Sequence, residues 1–308
     1  MQSRSAPQGR RSVPFVARLL PIMIGLGGVM VFLATNCKPG PFGRNQVLAL
    51  SLDDEKNLGK QAFVQALSSE KVLDERVQRI SQVEKDLVTR VEYITARLIA
   101  AARDPNVLKL AKVPEDTFEW EVRVVENDTP NAYCLPGGKM VVYTGIIPVA
   151  YNDAALAAVI GHEISHALFR HGNERMSTEK AQQMAAMAAA GAFSDDVRQQ
   201  QFVMAAFGIG TKVGITLPFN RSHELEADRM GVVLMAAAGY PPEESIRFWE
   251  RMGKLAGGAK PPEYLSTHPS DSTRMSELTE WMPTAQPYYD SSQKQRVQVL
   301  PGLRAERQ

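Results

Sequence analysis

The chain is short of several things. It has two cysteines, Cys37 and Cys134, in 308 residues. That excludes a disulfide framework and a zinc or redox site of the CxxC type. The formal net charge is +1 and aromatics make up 7% of the residues. There is no basic stripe with interleaved aromatics, so nucleic acid is not an expected partner. No internal repeat is found. Acidic residues are missing from the N-terminus altogether: the first is Asp53. Long uncharged apolar runs are also scarce. The one that stands out is "LLPIMIGLGGVMVFLAT", residues 19–35, preceded by Arg4, Arg10, Arg11 and Arg18.

A basic flank before an apolar run predicts an export signal or a membrane anchor over residues 1–37, with the remainder of the chain exported. The run is at the lower limit of length for a spanning helix. Cys37 follows it directly in "FLATNC". This suggests a bacterial lipoprotein signal with Cys37 as the lipid-bearing residue, although Asn36 stands where a small residue is expected. An uncleaved anchor and a cleaved signal are the alternatives. The expected setting is exported and membrane-attached, in a bacterial periplasm.

Residues 38–50, opening "KPGPFGRNQ", read as a linker. A domain is expected over 51–282 and a loosely ordered tail over 283–308. Helical periodicity runs through 53–103 with a break near 68–73. Its second part carries Val77, Ile80, Val83, Leu87, Val91, Ile94 and Leu98 at three- and four-residue spacing. "WEVRVVE" and "KMVVYTG" read as strands, with "NAYCLPGG" supplying an extended piece and a turn between them. From residue 152 the pattern is helical to 282, with breaks at Gly172, near 191–195, at Pro218 and at 239–241. The fold class is therefore α+β, mainly α-helical, with a small sheet.

The chemistry lies in "AVIGHEISHALFRHG", residues 158–172. His162 and His166 are one turn apart on one helix face, so both imidazoles can reach the same ion. Glu163 is placed to act on a zinc-held water, the HExxH arrangement. A third protein ligand is needed. His171 is five residues past His166, which on a continuing helix turns it away from the metal. It reads as a helix C-terminal histidine, with Gly172 terminating the helix. "NRSHELEADRMG", residues 220–231, offers Glu224 instead. Asp228, four residues on, shares its face and can orient a ligand histidine through the second ring nitrogen. Glu226 points elsewhere, and His223 reads as surface.

"HEISH" followed by "ELEAD" resembles the HtpX and CAAX-prenyl-protease family of gluzincin metallopeptidases. "DDEKNLGKQAF", "NAYCLPGGKMVVYTGII" and "LSTHPSDSTRM" resemble further family segments in the family's order. The resemblance spans roughly 50–282. Within the family it is strongest to exported quality-control proteases of the BepA and LoiP kind and to a mitochondrial stress protease of similar design. The several spanning helices of HtpX and the prenyl proteases are absent, which argues against CAAX processing.

The resemblance implies a minigluzincin-like zinc peptidase with a small sheet beside the HExxH helix and one Zn2+ per chain. It implies polypeptide substrates, misfolded or unassembled envelope proteins, hydrolysed with Glu163 as base. It makes Ala132, Tyr133 and Cys134 a rim strand on which substrate lies. It gives Arg274 a role in holding the Glu224 and His268 region together. His268 either stabilises the oxyanion or takes zinc's fourth position. A tethered chaperone or assembly factor, acting mainly by binding unfolded envelope proteins, is the alternative of another class.

Overall fold

Two capping boxes set the start of the helical region. The computed structural model describes residues 15–74, 76, 79–111, 118–191, 217–256, 264–265, 268 and 272–301. After α1 (Phe15–Asn36) and two short strands, β1 (Cys37–Pro39) and β2 (Asn45–Val47), the chain enters α2 (Leu52–Leu67). Ser51 caps α2 by accepting from the Asp54 N–H, and Asp54 returns the bond. The helix α3 (Gln82–Ala102) begins in the same way, from Ser81 and Glu84. It therefore starts later than the periodicity suggests. Ile80 and Leu73 are buried without being helical, and Val77 lies outside the described residues. Leu87, Val91, Ile94 and Leu98 form its buried stripe.

Arg103 caps the end of α3, and Pro105 opens α4 (Pro105–Ala111), where its missing N–H costs nothing. Three strands follow: β3 (Glu121–Val125), β4 (Ala132–Leu135) and β5 (Lys139–Tyr143). Their spatial order is β3-β5-β4. The β3 and β5 strands are parallel, with Val124 opposite Val142. The β4 and β5 strands are antiparallel, with Cys134 opposite Met140. This places β4 at an edge of the sheet.

The short α5 (Ile147–Ala150) leads into α6 (Asp153–Leu168), whose first turn is capped by the Asn152 side chain. All of α6 except His166 is buried. It packs against α3, β4 and, further along the chain, the helix at Glu244–Ala256. Next come α7 (His171–Gly191), α8 (Leu217–Ala237), α9 (Glu244–Ala256) and α10 (Ser272–Ser291). The break expected near 191–195 lies, beyond Gly191, outside the described residues.

The chain divides into two units: Met1–Cys37 with Met176–Pro218, and Lys38–Arg175 with Phe219–Gln308. In the first, Lys180 lies over the Phe32 ring, 5.6 Å from its centroid. The apolar run at 19–35 forms most of α1, but it is diluted by Pro21, Gly25, Gly27 and Gly28. Among the described residues no helix is long and apolar enough to cross a membrane.

The second unit holds the sheet, α6 and α8. Residues 283–301 are more ordered than their composition suggests. The α10 helix continues through Pro283 and Pro287, with Leu278 and Ala285 buried beneath it. Beyond it, Gln298 accepts from the Asp153 N–H at 3.0 Å and Leu300 donates to the Tyr151 carbonyl at 2.9 Å. The tail thus satisfies backbone groups at the start of α6.

Candidate metal centre

Two helices must come close for histidines on one and carboxylates on the other to meet. Glycine makes this approach feasible. A Cβ on Gly231 would stand 3.0 Å from the His162 backbone nitrogen, and one on Gly161 would stand 3.1 Å from the Gly231 carbonyl oxygen. Both distances are tight for a real side chain, so α6 and α8 cross where each presents bare backbone.

That crossing brings His162 and His166 to Glu224, and His268 joins them from the chain ahead of α10, with one ligand atom from each lying within 4.8 Å of all the others. His162 Nε2 is 3.0 Å from His166 Nε2 and 3.2 Å from His268 Nδ1. Glu224 lies 3.3 Å from His162, 3.5 Å from His166 and 3.0 Å from His268. Tetrahedral zinc with bonds of ~2.0–2.1 Å spaces its ligand atoms by roughly 3.3 Å. Nitrogen and carboxylate donors at these separations fit that ion.

The other edge of the site is also built. Asp228 Oδ1 is 3.0 Å from His162 Nδ1. Arg274 donates from Nε to Asp228 Oδ2 and from a terminal nitrogen to Oδ1, each at 2.7 Å, and approaches Glu224 Oε2 at 3.2 Å. The Arg274 guanidinium lies 3.9 Å from the centroid of the Trp249 ring, a cation–π contact that supports it from behind. Glu163 is buried and accepts from the Tyr264 hydroxyl at 3.1 Å. His268 Nε2 stands 3.5 Å from the same carboxylate oxygen.

The electrostatics follow from burial and these contacts. Burial alone would raise Glu224, but the His268 and His166 imidazoles hold it well below the usual carboxylate range. Asp228 is likewise lowered, with Arg274 and His162 outweighing burial. Burial acts to lower His162, and the Asp228 and Glu224 carboxylates raise it to about 9. A proton and a metal ion therefore compete for that nitrogen. Burial pushes His166 well below the usual histidine value, which leaves it neutral and able to ligate. Burial and then the Glu163 charge push the Cys134 thiol well up, so it is a poor nucleophile. Ala132 is buried, and Tyr133 and Cys134 are half-buried along β4. Cys37 is exposed.

Two histidines are placed otherwise than expected. The α6 helix ends at Leu168, and Arg170 takes a left-handed φ of 57°. This break, two residues before Gly172, reverses His171 onto the first turn of α7. His171 does not join the ligand cluster, but its Nδ1 is 2.9 Å from His166 Nδ1. His223 is buried rather than on the surface, stacked on His171 with centroids 4.0 Å apart and planes at 9°. Glu226 points away from the ligand cluster, as expected, but into a part-buried ion pair with Arg44. Sequence reasoning did not single out Tyr264, Arg44 or Glu174. None falls in a spacing pattern with the HExxH segment.

The model of Peptidase family M48 matches residues 95–282. The mitochondrial metalloendopeptidase OMA1 of Schizosaccharomyces pombe is 31% identical over 266 residues, which is 86% of this chain and 71% of that protein. Its counterpart in Saccharomyces cerevisiae is 29% identical over 278 residues, covering 86% and 75%. The beta-barrel assembly-enhancing protease of Escherichia coli (strain K12) is 30% identical over 159 residues, covering 50% of this chain and 32% of that protein.

Similarity over most of the chain is thus to mitochondrial proteins, while the Escherichia coli protease aligns with half of it. This overturns the bacterial periplasmic setting expected from the N-terminus. With that setting the grounds for a lipoprotein signal at Cys37 are lost. A basic, acid-free flank before an apolar run does not discriminate between bacterial export and other destinations.

Proposed function

The chain belongs to Peptidase family M48 and is a zinc metalloendopeptidase, and from this premise we propose that His162, His166 and Glu224 hold the zinc while Glu163 moves the proton. The observation that carries this reading is the convergence of the four ligand atoms of His162, His166, Glu224 and His268 within 4.8 Å. Zinc in this position supplies the Lewis acid that polarises the scissile carbonyl and acidifies the attacking water.

The chain's own groups do the rest. Glu163 accepts the proton of the attacking water and returns it to the leaving amine. The Tyr264 hydroxyl fixes one Glu163 oxygen, which leaves the other for the water. Asp228 holds His162 in the tautomer that ligates, and Arg274 holds Asp228. His268 takes the fourth donor position rather than acting on the oxyanion. A catalytic zinc keeps one position open, so His268 would have to leave that position for water and substrate to use it.

The substrate is a polypeptide in extended form. It adds as a strand to the exposed edge of β4, along Ala132, Tyr133 and Cys134, where main-chain hydrogen bonds need no particular side chain. This mode suits cleavage of misfolded proteins, and we place the enzyme in protein quality control. The domain that does this spans 51–282.

The test is metal content together with cleavage of an unstructured protein such as casein. His162→Ala and Glu224→Ala are each expected to lose zinc and activity together. A Glu224→Ala protein that binds one zinc per chain and cleaves normally would remove Glu224 from the ligand set.

A further inference from the structure

Beyond the zinc ligands and Asp228, a second buried polar cluster has no part in the chemistry above. It consists of His171, Glu226, Arg44, Glu174 and His223. We propose that His171, anchored by Glu226 and Arg44, is the positioning residue for His166, as Asp228 is for His162. The proposal rests on the ligand set given above.

The protons can be assigned by elimination. His166 Nε2 faces the ligand cluster, 3.0 Å from His162 Nε2 and 3.5 Å from Glu224. A ligating nitrogen carries no proton, so the proton of His166 is on Nδ1. That Nδ1 is 2.9 Å from His171 Nδ1, which must accept it. His171 then carries its own proton on Nε2 and donates it to Glu226 Oε2 at 3.0 Å. Each close contact is thereby given one proton and no more. The result is a carboxylate–imidazole–imidazole chain, one ring longer than the Asp228–His162 pair. Partners of this kind fix ring orientation and raise ligand basicity.

The far end is immobilised as well. Arg44 donates to both Glu226 oxygens, through Nε and through a terminal nitrogen at 2.9 Å. The same guanidinium donates to both Glu174 oxygens at 2.6 and 2.7 Å. His223 donates to Glu174 at 3.0 Å and lies flat on the His171 ring. The hydrogen bonds thus set the direction of His171 and the stack sets its plane.

Ion pairs buried in this way are weak sources of stability, because desolvation offsets their attraction. Holding one ring in register with a metal ligand gives them a purpose. The segment that carries Arg44 is tied down too: Gln46 donates to the Phe169 carbonyl at 2.8 Å, at the break that turns His171 inward. What reads as a linker over 38–50 is a strap that reaches the metal centre.

The experiment is zinc titration of the full chain against a competing chelator, with melting temperature measured alongside. His171→Phe keeps a ring in the stack but offers no acceptor, and is expected to weaken zinc binding by about 10- to 100-fold. His171→Asn can place an amide oxygen close to the Nδ1 position, and is expected to recover most of that loss. If His171→Phe does not fold, Glu226→Gln carries the test, with zinc binding weakened by at least about threefold.

Wild-type affinity in His171→Phe, or in Glu226→Gln if the test falls to it, would overturn the proposal. So would equal losses in the Phe and Asn variants, because packing alone would then explain them. His162→Ala serves as the control. Zinc retained there would mean that the ligand set itself is wrong, a failure distinct from that of His171.

Discussion

Asp228 shows how much one side chain can carry. One of its oxygens faces His162, and both accept from Arg274, so a single carboxylate orients the proposed ligand His162 and neutralises a buried cation. Asp228→Ala should lower zinc affinity by about 10- to 100-fold, measured by chelator competition. An unchanged affinity would show that His162 needs no such partner. Part of this arrangement was legible in the sequence. Glu224 and Asp228 are four residues apart on one helix, and His162 and His166 likewise, so local spacing revealed both pairs. His171 and His223 were not legible. Their partners Glu226, Glu174 and Arg44 come from three separate segments. His171 moreover depends on a left-handed Arg170, a conformation that non-glycine residues rarely adopt. A continuing helix would have turned His171 away, and that expectation failed at the backbone rather than at the side chain.

Among the elements, the α6–α8 crossing decides whether the site exists. Gly161 and Gly231 each sit where a Cβ would press on the backbone of the other helix. Gly231→Ala therefore pushes α8 off α6 and moves Glu224 and Asp228 relative to the histidines. It is expected to cost about 1–3 kcal/mol in denaturant unfolding and to weaken zinc binding at the same time. Loss of stability with wild-type zinc affinity would show that the crossing is not what places the ligands. Glycines inside helices carry no sign of their partner, so this contact could not be read in advance. Other elements could be. The β3 and β5 strands lie where alternation and β-branched residues place them, and the buried stripe of α3 follows its periodicity. The start of α3 was misjudged because the stripe extends upstream to Ile80, which is buried without being helical. The Ser81–Glu84 capping box, also present in the sequence, was the better guide.

For the whole molecule, the fold class followed from the helical and strand patterns, and the family and the zinc chemistry from the HExxH segment and the later "ELEAD" segment. The cellular setting did not. Charge and hydropathy at the N-terminus suggested a bacterial periplasm, and similarity over most of the chain is to mitochondrial proteases. The two ends of the second unit were underestimated for a common reason. Residues 38–50 and 293–301 have the composition of loops, yet one supplies Arg44 to the Glu226 and Glu174 carboxylates and the other supplies Gln298 and Leu300 to the start of α6. Composition reports neither long-range hydrogen bonds nor the helix end they complete. The central claim is that one buried carboxylate drives peptide hydrolysis beside a zinc held by its neighbours. The most direct measurement compares zinc per chain and the rate of casein cleavage in wild-type protein and Glu163→Gln. Zinc is predicted to stay at one per chain while the rate falls by about 10²- to 10⁴-fold; cleavage at close to the wild-type rate would contradict the account.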